Sequence, residues 1–87
     1  MSNPVNVLDL FQKAALEVDN RKLSGLSKDT VISSLGMDSV AIMELVSYLE
    51  ERLEVRIPDE ELGKVRTIGD LRDCLARHLP PGTQVSA

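Results

Sequence analysis

Apolar positions recur at helical spacing in three stretches of the chain. In the first, Val7, Leu8, Phe11, Ala14, Ala15 and Val18 are interleaved with Asp9, Gln12, Lys13 and Glu17. This predicts an amphipathic helix over 4–19. Asn3 followed by Pro4 reads as N-cap and first helical position, because proline presets φ and lacks only a donor that needs no partner there. In the second stretch, Ile42, Leu45, Val46, Leu49 and Leu53 fall on one face at about 100° per residue, predicting a helix over 38–54. Asp38 is its expected N-cap and Gly36 the flexible turn before it. Its opposite face carries Val40, Glu44, Ser47 and Glu51, flanked by Met43 and Tyr48. Val40 and Met43 are therefore expected in solvent although apolar. In the third stretch, Ile68, Leu71, Leu75 and Leu79 define a helix over 67–79. Thr67 and Asp70 have the spacing of a capping box, and Pro80-Pro81-Gly82 ends the helix.

The connections are less regular. Residues 20–37 break the helical period with Ser24, Gly25, Ser27, Ser33, Ser34 and Gly36, and carry isolated Leu23, Leu26, Val31, Ile32 and Leu35. This is a long loop pinned to the core by its apolar residues, with a short helical turn around 29–34. Loops of such length are often functional. Residues 55–58 form a connection, since Pro58 excludes Ile57 from helical geometry. Asp59-Glu60-Glu61-Leu62 then reads as one helical turn with its acids at the favourable end, closed by Gly63. No strand pattern and no repeat is visible. The expected fold is all-α: a small four-helix bundle of three main helices and one short one. It fills a single domain over 1–87, with a core over 4–79 and a frayed tail over 80–87.

Composition narrows the function. The chain has 87 residues and a net charge of -4, and its only aromatics are Phe11 and Tyr48. It lacks a base-stacking platform and opposes the phosphate backbone, so no nucleic-acid partner is expected. Cys74 is the only cysteine and His78 the only histidine. An internal disulfide is excluded, and a metal site or a Ser-His-Asp machine is hard to assemble. No metal is expected, Cys74 reads as a core residue beside Leu71 and Leu75, and His78 as a helix-end residue. The N-terminus lacks a signal-peptide pattern, and no apolar run approaches the roughly 18–20 residues of a membrane span. A cytoplasmic monomer without a membrane span is the expectation.

The sharpest local feature is Leu35-Gly36-Met37-Asp38-Ser39-Val40, where the long loop meets the second helix. A serine there is exposed, beside unpaired backbone N–H groups and the positive end of the helix dipole. A phosphate ester on Ser39 would be stabilised by those donors. Asp-Ser at a helix start is also explained by simple capping.

The wider run LGMDSVAIMELVSYLEERLEVRIPDEEL, residues 35–62, resembles the acyl carrier protein family. Serine follows Gly-x-Asp and opens an amphipathic helix with Glu44 and Glu50-Glu51. Ile57-Pro58-Asp59-Glu60-Glu61 comes next, and Val65-Arg66-Thr67-Ile68-Gly69-Asp70-Leu71 is similar to the family's entry into its last helix. The resemblance implies a carrier rather than an enzyme. It implies that Ser39, framed by Asp38 and Gly36, bears a 4′-phosphopantetheine arm taken from coenzyme A by a phosphopantetheinyl transferase. The arm's thiol would hold acyl groups as thioesters, and the other partners would be acyl-loading and acyl-processing enzymes of transferase, ligase or ketosynthase type. Beginning at Met1 and ending soon after the last helix, the chain reads as a free-standing carrier.

Charge marks an expected docking face. Residues 36–62 hold eight acids against two bases, Arg52 and Arg56, whereas the other sixty residues hold six acids against eight bases. An apolar pair rimmed by acids is the pattern of a transient interface. Val40, Met43, Glu44, Ser47 and Glu51 are its expected centre. Ala41, Ser47, Arg52 and Arg56 depart from the familiar fatty-acid pattern, and the Leu-Gly-Met-Asp-Ser wording is similar to polyketide carriers. A polyketide-type or other specialised pathway is favoured over fatty-acid synthesis. An aminoacyl or peptidyl carrier and an unmodified helical adaptor are the competing readings. A hydrolase using Ser39 would need a positioned base, which the lone histidine near the chain end does not offer.

Overall fold

A computed structural model describes residues 4–86. The elements in order are β1 (Val5–Asn6), α1 (Val7–Asp19), a 3₁₀ turn (Ile32–Leu35), α2 (Ser39–Leu53), α3 (Asp59–Leu62), α4 (Ile68–His78) and β2 (Val85–Ser86). The architecture is the expected small helical bundle. The apolar core of the described residues is built from Phe11, Leu45, Leu49, Ile68, Leu71 and Leu75, and Cys74 is buried with them.

The first helix starts three residues later than its periodicity predicts. Val5 and Asn6 are extended and pair in parallel with Val85 and Ser86. The Val5 N–H donates to the Gln84 carbonyl at 2.7 Å. Asn6 then caps α1, its side-chain oxygen accepting the Asp9 N–H at 3.1 Å. The expected cap, Asn3, lies outside the described residues. The same pairing corrects two other expectations: a short strand pair exists, and Val85 and Ser86 belong to it rather than to a frayed tail. Val85 packs against the core edge, and its burial helps to hold the pairing.

The long loop is a strap across the head of α4. The Ile32 N–H donates to the Arg66 carbonyl at 2.9 Å, the Ile68 N–H to Thr30 at 3.0 Å and the Gly69 N–H to Lys28 at 2.8 Å. A Cβ on Gly69 would stand 2.9 Å from the Lys28 carbonyl oxygen, so glycine is required for this approach. Leu23, Leu26 and Leu35 pack against the core as expected. The expected helical turn is the 3₁₀ segment, one to three residues further on.

Both predicted helix heads are capped as read. Asp38 caps α2. Thr67 and Asp70 form a reciprocal box at α4, each accepting the other's N–H at 3.1 Å, and Asp70 also accepts the Arg66 N–H. The inward stripe of α2 is turned slightly from expectation. Ala41, Leu45, Val46 and Leu49 are buried, while Ile42 and Leu53 are half-buried. The small Ala41 side chain fits the interior, which leaves Ile42 to face a cleft. The short α3 buries no residue.

Leu49→Ala removes a fully buried side chain and is expected to cost about 2–5 kcal/mol in urea unfolding. The Thr67 and Arg66 N–H groups hold the Asp70 carboxyl below its ordinary value of 3.8. A depressed folded-state pKa contributes stability above the unfolded value, and that stability is lost as pH falls through the folded value. Asp70→Asn should therefore lower Tm at neutral pH and flatten the loss of Tm below about pH 4.

Candidate functional site

The site forms where the strap turns into α2. Gly36 ends the 3₁₀ turn with φ 81°, a left-handed conformation suited to glycine. Met37 follows and is buried, 6% exposed, which anchors the chain one step before the turn. Asp38 is extended, and its Oδ1 accepts the Ala41 N–H at 2.7 Å while its carbonyl accepts the Ile42 N–H at 3.0 Å. Capping is thus done by Asp38, not by Ser39. Ser39 is the first residue of α2 and is exposed. Its own N–H and that of Val40 find no protein acceptor among the described residues. A hydroxyl in water beside two unpaired N–H groups and the positive helix end fits a phosphodiester.

A cleft of about 560 Å³ adjoins Ser39. Ile42 and Val46 of α2, Ile32 of the 3₁₀ turn, Leu62 of α3 and Val65 line it, with Phe11, Leu45 and Leu71 deeper. Leu49 and Ile68 do not line it and are closed into the core.

The five expected docking residues share one surface. Val40 is 62% exposed and Met43 69%, so both apolar side chains stand in water. With Glu44, Ser47 and Glu51 they line a shallow groove whose other wall is Glu17 and Val18 of α1. The contribution of α1 was not legible, because Glu17 reads only as the polar side of its own helix. The acids of 36–62 are also not equivalent. The Glu50 carboxylate accepts the Ile57 N–H at 2.7 Å and so fastens the chain after α2. Glu61 is held by His78 at 2.8 Å and Arg77 at 3.2 Å. Glu44, Glu51, Glu54, Asp59 and Glu60 remain exposed. Arg52 lies 5.6 Å from the Tyr48 ring centre, a cation–π distance.

Cys74 and His78 both lie at the contact between α3 and α4, away from Ser39. Burial raises the Cys74 thiol's pKa, and the Glu61 charge adds to it. His78 is committed to Glu61, whose carboxyl the His78 hydrogen bond holds below the usual range against the opposing effect of burial.

A family model described as "Phosphopantetheine attachment site" matches residues 9–75. That span contains the capped helix head, the cleft and the acidic groove. This chain belongs to the acyl carrier protein family. An acyl carrier protein of Clostridium perfringens is 43% identical over 51 residues, which are 59% of this chain and 67% of the relative. The acyl carrier protein of Thermotoga maritima superposes with a TM-score of 0.76 at 29% identity, over 83% of this chain and 85% of that one. The 3,5-dioxohexyl acyl carrier protein of the actinorhodin polyketide synthase of Streptomyces coelicolor gives a TM-score of 0.68 at 35% identity, over 91% and 95%. Acyl carrier proteins are not enzymes; they bear a covalent 4′-phosphopantetheine and work with biosynthetic enzymes and a phosphopantetheinyl transferase. No helix among the described residues is long and apolar enough to cross a membrane.

The cap assignment separates two neighbouring substitutions. Asp38→Ala should cost about 1 kcal/mol in urea unfolding. Ser39→Ala should stay within about 0.5 kcal/mol of wild type, since the hydroxyl caps nothing.

Proposed function

We propose that the Ser39 Oγ bears the phosphopantetheine arm, and that the loaded chain carries acyl thioesters between enzymes of a polyketide-type or related specialised pathway. The observation that carries the first part is a serine hydroxyl in water at a helix head whose capping is already supplied by its neighbour Asp38. When bound, the arm supplies a thiol on a long tether. The chain's own residues hold its base. Asp38 fixes the first turn of α2 and Met37 anchors the approach, and the Ser39 and Val40 N–H groups at the positive helix end would stabilise the negative charge of a phosphodiester on Ser39. The neighbouring cleft offers apolar walls to part of the cargo.

The pathway reading rests on different observations. The actinorhodin synthase carrier superposes over 91% of this chain at 35% identity, and the Thermotoga maritima carrier over 83% at 29% identity. Ala41, which stands where fatty-acid carriers commonly place an acid, is only 7% exposed, so this position presents no charge to a partner. Glu44 and Glu51 beside exposed Val40 and Met43 suit a brief, charge-steered encounter with a basic enzyme surface.

Incubation with coenzyme A and a broad-specificity phosphopantetheinyl transferase should add one arm to the intact mass of wild type and none to Ser39→Ala. An unmodified wild type would favour the adaptor reading. Arm transfer to Glu44→Lys/Glu51→Lys should slow about tenfold at low salt and lose much of its salt dependence. Unchanged rates would place docking on another face.

A further inference from the structure

Among the described residues, one cluster of chemistry-bearing side chains lies outside the proposed carrier site. Cys74 and His78 lie one turn apart on the same face of α4. Glu61 of α3 reaches over to both. Its Oε2 is 2.8 Å from His78 Nε2 and its Oε1 is 3.9 Å from Cys74 Sγ. All three ligand atoms lie within 4.8 Å of one another. Zinc bonds of about 2.0–2.3 Å in a tetrahedron separate ligand atoms by roughly 3.3–3.8 Å. The three atoms therefore reach a common ion with shifts of an ångström or less.

We propose that Cys74, His78 and Glu61 bind one Zn²⁺, with water completing the tetrahedron. One sulfur, one nitrogen and one carboxylate oxygen suit Zn²⁺ and disfavour Mg²⁺ and Ca²⁺, which take oxygen ligands. On binding, the Cys74 S–H bond breaks, its electron pair forms the Zn–S bond and its proton leaves to buffer. The His78 Nε2 lone pair and one Glu61 oxygen supply the other bonds. Without metal, Arg77 balances the Glu61 charge at 3.2 Å. Its side chain is 61% exposed, so it can turn to water when the ion takes its place. The sulfur lies on the buried side of the cluster, while the Glu61 and His78 side chains are each a little over a quarter exposed and open it to solvent. A single cysteine and histidine make such a site hard to foresee. Their spacing of four on one helix is the legible part, and Glu61 from another element completes it.

The ion would also stiffen the carrier. The α3 helix buries no residue, and its Asp59 and Leu62 line the cleft beside Ser39. Glu61 is the side chain through which α3 reaches α4, so a metal there ties the cleft wall to the core.

The test uses the full chain carrying Ser39→Ala, in which Cys74 is the sole thiol, kept reduced by a phosphine. Co²⁺ should bind one per chain with tetrahedral visible bands and a thiolate-to-cobalt charge-transfer band. Zn²⁺ should displace it and raise Tm. His78→Gln, which retains a hydrogen-bonding group toward Glu61, should weaken Zn²⁺ at least tenfold against a chromophoric chelator and abolish the rise in Tm. Cys74→Ala should remove the charge-transfer band. Absence of that band in the parent chain, or equal zinc affinity in parent and His78→Gln, overturns the proposal. Should Cys74→Ala fail to fold, the partly exposed His78→Gln decides alone. The outcome is independent of whether Ser39 accepts an arm.

Discussion

A single carboxylate organises the head of α2, where the proposed attachment serine sits. Asp38 Oδ1 takes the Ala41 N–H and the Asp38 carbonyl takes that of Ile42. One orphan donor at the head of α2, the Ala41 N–H, is thereby satisfied by the residue before the serine, whose carbonyl also takes the first regular helical bond. Ser39 is left with no structural duty, in water, on the first turn of a helix whose later turns are locked into the core by Leu45 and Leu49. Rigidity beneath and freedom at the tip are what a tethered cargo requires. The buried Met37 and left-handed Gly36 make the turn before Asp38 well defined, so the hydroxyl is presented in one place.

The parts of the fold governed by local rules were legible. Asp38 before α2, the Thr67–Asp70 box before α4 and Gly63 after α3 act through hydrogen bonds spanning a few residues, and each stands where the sequence places it. The exposure of Val40 and Met43 followed from the helical wheel alone. What escaped depends on partners distant in sequence. Val5 and Asn6 look like the start of a helix until Val85 and Ser86 arrive to pair with them. Ala41 displaces Ile42 from the interior because the facing surface accepts a small side chain, which a single-helix wheel does not express. Glu50 and Glu61 look like members of an acidic face, yet one fastens Ile57 and the other bridges to α4.

That sorting of acids changes how the groove works. Glu44 and Glu51 sit beside the exposed Val40 and Met43 and stand opposite Glu17 of α1. The bonded acids hold the frame, and the exposed ones give the groove its negative field. In the proposed docking role, an apolar centre of two side chains rimmed by charge would bind briefly, with charge governing the encounter rate more than the lifetime. A carrier that must be released by each enzyme it visits gains from that balance. The strap over α4 serves the same end from the other side, since its backbone bonds at Lys28, Thr30 and Ile32 fix the loop that delivers the chain to Gly36.

The measurement that bears most directly on this account is the position of the arm. Protease digestion of the modified chain, followed by tandem mass spectrometry, reads the modified side chain by its fragment masses. Phosphopantetheine is expected on the Ser39 oxygen and nowhere else. An arm found on any other residue, or a chain that stays unmodified with every competent transferase, would contradict it.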